Sequence, residues 1–124
     1  GADTAFVRKR RLSGDATEVT FVDAQVEGRV VVIYDDMIRT GGTLVQAARA
    51  YRDRGARAVY AVATHLVLPE GALDRLRASH MIDGIAGTDT HPRARAVEGP
   101  FVTVRSVAPL IAAWLAHHPD YERR

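Results

Sequence analysis

Five apolar residues in a row, Val30-Val31-Val32-Ile33-Tyr34, run directly into two aspartates, and this stretch constrains the fold more than any other. An uninterrupted, largely β-branched run predicts a strand buried on both faces of a parallel sheet. Asp35 and Asp36 then fall where such a strand would end. Thr40-Gly41-Gly42-Thr43 forms a small-residue turn, and Leu44-Val45-Gln46-Ala47-Ala48 opens a helical pattern. In open α/β sheets ligands sit beyond the carboxyl ends of the strands, where a helix N-terminus offers unpaired N–H groups to an anion. The glycines let the backbone come close to that anion, and the threonines add hydroxyl donors. Two adjacent carboxylates beside a phosphate site invite a ribose or a hard cation such as Mg²⁺. Taken singly, the aspartate pair also reads as a solvated turn, and the glycine turn as a plain helix cap. No Gly-Lys-Ser/Thr follows the glycines and no G-x-G-x-x-G is present, so this is neither a Walker A loop nor a dinucleotide turn.

Around this centre, strand and helix patterns alternate. Glu18–Val22 reads as a half-buried strand, and Leu44, Ala47, Ala48 and Tyr51 line one helix face that stops at Gly55. Strands are expected at Ala58–Ala63, Ile82–Ala86 and Phe101–Val104. Helices are expected from Pro69 to Ala78 and from Val107 to His117, the latter with Leu110, Ile111, Trp114 and Leu115 on one face. Arg93–Pro100 reads as a loop. The basic run Arg8-Lys9-Arg10-Arg11, followed by Leu12-Ser13-Gly14-Asp15, reads as a mobile segment over Arg8–Asp15 or a solvated patch. The expected fold is therefore α/β, a mostly parallel sheet flanked by helices, forming one domain over residues 1–118 with a frayed tail over 119–124.

With 124 residues, the chain can bury a core without a disulfide or structural metal, and it has no cysteine. That composition fits a cytoplasmic protein. The net charge of +2 comes from scattered arginines, and aromatics are few, so neither a nucleic-acid surface nor a base-stacking platform is indicated. No apolar run approaches a membrane span. Among the seventeen basic residues only Lys9 is a lysine. The histidines lack zinc spacing: His117-His118 marks a helix end, His80 lies at the surface, and only His65 and His91 fall near strand ends.

The joint pattern D-D-M-x-x-T-G-G-T after a strand resembles the phosphoribosyl-diphosphate (PRPP) motif of type I phosphoribosyltransferases and PRPP synthetases. The flanks resemble the C-terminal half of a PRPP synthetase, or ribose-phosphate pyrophosphokinase. Lys9-Arg10-Arg11 is similar to the K-R-R of that family's catalytic flexible loop. Ala63-Thr64-His65, Thr88-Asp89-Thr90 and Ser106-Val107-Ala108-Pro109-Leu110 follow in family order, so the resemblance runs from about Phe6 to His117.

The resemblance implies a type I phosphoribosyltransferase-like fold and a transfer of diphosphate from ATP to ribose 5-phosphate, giving PRPP and AMP. It implies that Thr40, Gly41, Gly42 and Thr43 hold the 5-phosphate. Asp35 and Asp36 would bind the ribose hydroxyls and help place Mg²⁺, and Lys9 and Arg11 would stabilise the transferring group. Most of the ATP site would come from an N-terminal half and from neighbouring subunits, so a homo-oligomer is expected and this chain alone would be incomplete. Arg39 stands where the family usually has an acid. It would either add to phosphate binding or pair with Asp35 or Asp36 and silence them. Leu66 replaces a frequent glycine. A phosphoribosyltransferase that consumes PRPP, and a non-catalytic synthetase-associated domain, are the competing readings; the absence of a hood segment for a base stands against the first.

Overall fold

The computed structural model describes residues 7–13, 16–22 and 25–118, with side chains from residue 25 onward. Two strands, β1 (Val7–Ser13) and β2 (Ala16–Val22), pair antiparallel, and β2 lies beside the first helix. The main unit then alternates regularly: β3 (Val30–Ile38), α1 (Gly42–Arg52), β4 (Ala58–Leu66), α2 (Ala72–Ala78), β5 (Gly84–Thr88), α3 (Arg93–Ala96), β6 (Val102–Arg105) and α4 (Ala108–His117). The last four strands form a parallel sheet in the order β3-β4-β5-β6. The α/β architecture expected from the alternation is therefore the one formed.

Strand order advancing one way, with right-handed crossovers, puts α1, α2 and α3 on the same face of the sheet. Side-chain burial follows that rule. Val59, Ala61, Ala63, Ile85, Val102 and Val104 point under the helices and are buried. Small residues on both sides, Ala48 of α1 and the alanines of β4, let the helix layer sit close to the sheet, and Leu66, Leu68 and Leu76 fill the remaining core. The opposite face, carrying Val30, Val32, Tyr34 and Tyr60, is exposed.

Several expectations change as a result. Among the described residues β3 pairs only with β4 and one of its faces is exposed, where the sequence pattern read as a strand buried on both faces. It also continues through Asp35 and Asp36 to Ile38, since pairing with β4 persists through Met37 and Ile38. Of the segment Arg8–Asp15, read from the sequence as mobile or a solvated patch, Arg8–Ser13 belongs to strand β1 and pairs with β2. Gly14 and Asp15 lie outside the described residues, as do Gly1–Phe6 and the tail 119–124. Helix α2 begins at Ala72, after left-handed Gly71, so Pro69 and Glu70 belong to the preceding turn. Arg93–Ala96 forms a short helix, α3, behind Pro92, whose fixed φ suits a helix entrance. Helix α4 forms as expected, yet none of its residues is buried.

The strand starts are tied by Asp83. It accepts hydrogen bonds from the Val59 N–H (2.7 Å) and from Arg52 Nη2. Partial burial acts to raise its carboxyl, but these two donors outweigh it and hold the group below its ordinary range.

Gly87 marks the tightest point of the sheet-to-core contact. A Cβ there would overlap the Leu66 side chain, which fills the space a larger β5 residue would need. Gly87→Ala is expected to destabilise the fold by ~1–3 kcal/mol, as overpacking does, which thermal unfolding would detect as a lowered Tm. Gly99→Ala, where nothing lies within 4 Å of the added carbon, should leave Tm nearly unchanged.

Candidate functional site

All four parallel strands end on the same side, so β3 through β6 bring their polar C-terminal residues to one rim. At the β3 end, Thr40 leads into Gly41, the N-cap of α1, with φ 81° and ψ 0°. That left-handed backbone is strained for any residue with a Cβ, and a Cβ at Gly41 would also strike Leu76 of α2. Sequence and packing therefore both require glycine here. Gly42 differs, since the space around it is open.

The first turn of α1 contains no acid and no side chain caps it. Val45 N–H bonds the Gly41 carbonyl at 2.9 Å, so the N–H groups of Gly42, Thr43 and Leu44 precede the helix's own hydrogen-bond ladder. An uncapped eleven-residue helix with glycines at its entrance can accept an anion through backbone donors and its dipole.

Asp35 and Asp36 lie just ahead of the glycine turn, but strand alternation sends them to opposite faces. Asp35 shares the helix-covered face with Val31 and Ile33 and is half-buried, whereas Asp36 is exposed. One Asp35 carboxylate oxygen accepts the Asp36 N–H at 2.9 Å, which orients it and leaves the other oxygen for a ligand. Among the described residues no three acidic or histidine side chains gather into a metal cage. Each carboxylate is a hard donor of the kind Mg²⁺ takes, and water and substrate oxygens would have to complete the coordination of an ion held there. Arg39 is exposed beside this pair, and no ion pair joins it to Asp35 or Asp36. Lys9 and Arg11 have backbones on β1, and their side chains lie outside the described residues.

Two clusters at the rim came from motifs noted in sequence without an assigned role. His65 Nδ1 lies 2.8 Å from Thr90 Oγ1, while the Thr88 and Thr90 hydroxyls both donate to the Thr64 carbonyl, at 2.6 and 3.0 Å. This laces the ends of β4 and β5 together. Asp89 joins three elements: it accepts the Val107 N–H at 2.9 Å, ahead of α4, and pairs with Arg95 of α3 at 2.9 Å. The Val107 N–H, the Ser106 hydroxyl and Arg95 together hold its carboxyl at about 2, well below the ordinary 3.8. A T-D-T triplet at a strand end was the only signal available in sequence; its partners are distant in the chain.

An uncapped helix entrance behind a strand bearing two carboxylates makes this an α/β domain with a candidate anion site at the carboxyl end of its sheet. Residues 12–113 match the family model described as phosphoribosyl synthetase-associated domain, and the chain belongs to this family. The ribose-phosphate pyrophosphokinase of Methanopyrus kandleri is 50% identical over 112 residues, covering 90% of this chain and 36% of the relative. That of Bordetella pertussis is 47% identical over 91 residues, covering 73% and 29%. The crystal structure of phosphoribosylpyrophosphate synthetase from Mycobacterium smegmatis superposes with a TM-score of 0.72 at 32% identity, covering 88% of this chain and 35% of that one. The chain thus spans about a third of the length of the relatives it matches.

The Asp89 clamp carries a pH signature. Because its folded pKa is depressed, it contributes stability above the ordinary range near 3.8 that is lost as pH falls towards 2. In urea unfolding at a series of pH values, wild type should lose stability between pH 4 and 2 more steeply than Asp89→Asn. Equal slopes for the two proteins would show that the clamp does not form in solution.

Proposed function

We propose that this chain is the ribose 5-phosphate- and PRPP-binding part, corresponding to the C-terminal half, of a ribose-phosphate pyrophosphokinase, and that it does not complete the reaction alone. The observation that carries the reading is the left-handed Gly41 at an uncapped helix entrance, following a strand that bears Asp35 and Asp36. Relatives named as ribose-phosphate pyrophosphokinases, at up to 50% identity among those compared, supply the reaction.

In this reading Thr40, Gly41, Gly42 and Thr43 bind the 5-phosphate through backbone N–H groups and hydroxyls. Asp35 and Asp36 hold the ribose hydroxyls across the end of β3, one from each face. Arg39 adds a positive charge beside the phosphate. Asp35 and Asp36 would hold Mg²⁺ indirectly, through the ribose hydroxyls, and the ion would supply positive charge for the nucleotide phosphates. The C1 hydroxyl attacks the β-phosphorus of ATP; the bond from that phosphorus to the oxygen shared with the α-phosphate breaks, and AMP leaves. Lys9 and Arg11 stabilise the charge that develops on the transferring diphosphoryl group, and positioning does the rest. The adenine site and most of the triphosphate grip come from polypeptide beyond these 124 residues.

Titration calorimetry with ribose 5-phosphate tests the phosphate cradle. Gly42→Ala adds a carbon that meets nothing in the protein, so the fold should keep its Tm. The same carbon crowds the helix entrance, and affinity should fall on the order of tenfold, a loss of about 1.4 kcal/mol. Absence of binding by wild type at millimolar ligand, or unchanged affinity in Gly42→Ala, would overturn the assignment.

Catalysis is tested in a full-length relative carrying the equivalents of Lys9 and Arg11. Changing either to Ala should lower kcat by roughly a hundredfold or more while ribose 5-phosphate binding changes little, because the contact strengthens only in the transition state. The 124-residue chain itself should release no AMP from ATP. Measurable PRPP synthesis by it alone would refute the division of labour.

A further inference from the structure

Leu68 and His80 are the described non-glycine residues with a left-handed backbone, and Leu68, at φ 36°, also has its side chain fully buried. That conformation is unfavourable for a residue with a Cβ, so its surroundings must hold it. The loop after β4 shows what does. The Val67 and Leu68 N–H groups both bond the Ile38 carbonyl, at 3.1 and 3.2 Å, and Arg93 Nε donates to the Leu68 carbonyl at 2.7 Å. Glycine at residue 68 would relieve the backbone, but the leucine side chain belongs to the core, so the strained conformation is kept and fastened from outside.

Ile38 is the last residue of β3, just ahead of Arg39, Thr40 and Gly41. Because a peptide unit is planar, fixing the Ile38 carbonyl fixes the Ile38–Arg39 peptide plane, and with it the direction in which the chain leaves for the glycine turn. The same loop leads through left-handed Gly71 into α2, whose Leu76 lies where a Cβ on Gly41 would go. The connection from β4 to α2 therefore holds the turn twice, through the Ile38 carbonyl and through Leu76. Arg93, 25 residues beyond Leu68 and on α3, fastens that connection.

We propose that Arg93 is a positioning residue for the glycine turn. Its Nε–H holds the Leu68 peptide, the Val67 and Leu68 amides hold the Ile38 carbonyl, and that carbonyl sets the entrance to α1. Arg93 touches no ligand in this role and its charge takes no part; what acts is one N–H at a set distance from the α3 backbone. Without that bond the Leu68 peptide relaxes away from its left-handed conformation and its N–H leaves the Ile38 carbonyl. The N–H groups of Gly42, Thr43 and Leu44 then lose their common orientation. The consequence for ligand affinity rests on the phosphosugar reading; the chain of hydrogen bonds does not.

Two variants separate the donor from the charge. Arg93→Met keeps the length of the stem and removes the N–H, whereas Arg93→Gln places an amide N–H the same number of bonds from Cα as Nε and removes the charge. In hydrogen exchange on the ligand-free 124-residue chain, Arg93→Met should speed exchange at Val67, Leu68 and Val45 about fivefold or more, the effect of one lost hydrogen bond. The Val59 and Ile85 amides, bonded at the other end of the sheet, should keep wild-type protection, and Arg93→Gln should restore most of it at Val67 and Leu68. Calorimetry with ribose 5-phosphate should follow the same order, with affinity about fivefold weaker in Arg93→Met and within about twofold of wild type in Arg93→Gln. Unchanged exchange at Val67 and Leu68 in Arg93→Met, or faster exchange spread evenly over the sheet, would overturn the proposal. So would affinity lost equally in both variants while Arg93→Gln restores protection, which would make Arg93 a direct charge contact. A wild type that binds no ribose 5-phosphate while the exchange pattern holds would remove the phosphosugar reading and leave Arg93 in its positioning role.

Discussion

The parallel register of β3 on β4 is the constraint from which the rest of the molecule follows. Parallel neighbours cannot be joined by a hairpin, so each step across the sheet needs a crossover, and a crossover of fixed hand moving one way always returns on the same side. That single rule places α1, α2 and α3 on one face, buries Val59, Ala61, Ala63, Ile85, Val102 and Val104 beneath them, and leaves Val30, Val32, Tyr34 and Tyr60 uncovered. It also aligns the carboxyl ends of all the strands, which is why residues as far apart in sequence as Asp35, His65 and Asp89 meet at one rim.

The candidate phosphate turn is held from behind. Gly41 needs its left-handed conformation to turn the chain from β3 into α1, and the space a side chain would take there is filled by Leu76 of α2. The core and the site therefore share an atom-level contact, and a rigid scaffold presents the unpaired N–H groups. Farther along the rim, Asp89 performs a similar service between α3 and the start of α4, and the Thr64–Thr88–Thr90 hydroxyl network locks β4 to β5.

Much of this was legible in the residues themselves. The order of strand, acids, glycine turn and helix is the order formed, because each part has its own local signature: β-branched residues for the strand, paired glycines for the turn, and Leu44, Ala47, Ala48 and Tyr51 at helical spacing for α1. Other parts were not legible. An apolar run such as Val30–Tyr34 looks the same whether it lies in the middle of a sheet or at its edge, since burial on the second face depends on what lies across it. Leu110, Ile111, Trp114 and Leu115 gave α4 a stripe that reads as core, yet the helix is exposed along its length. The basic strand β1 carries no strand signature and takes its form from pairing with β2.

The sequence by itself determined the alternation of elements, the place of the glycine turn and the membership of a phosphoribosyl synthetase-associated family, because these depend on residues close together in the chain. Only the tertiary structure decided that Asp35 and Asp36 diverge to opposite faces of a strand that continues past them, that Leu76 enforces Gly41, and that among the described residues β3 has a neighbour on one side only. Those facts depend on pairing register and on contacts between distant segments, and no local pattern of residues encodes which strand ends up with a neighbour on only one side.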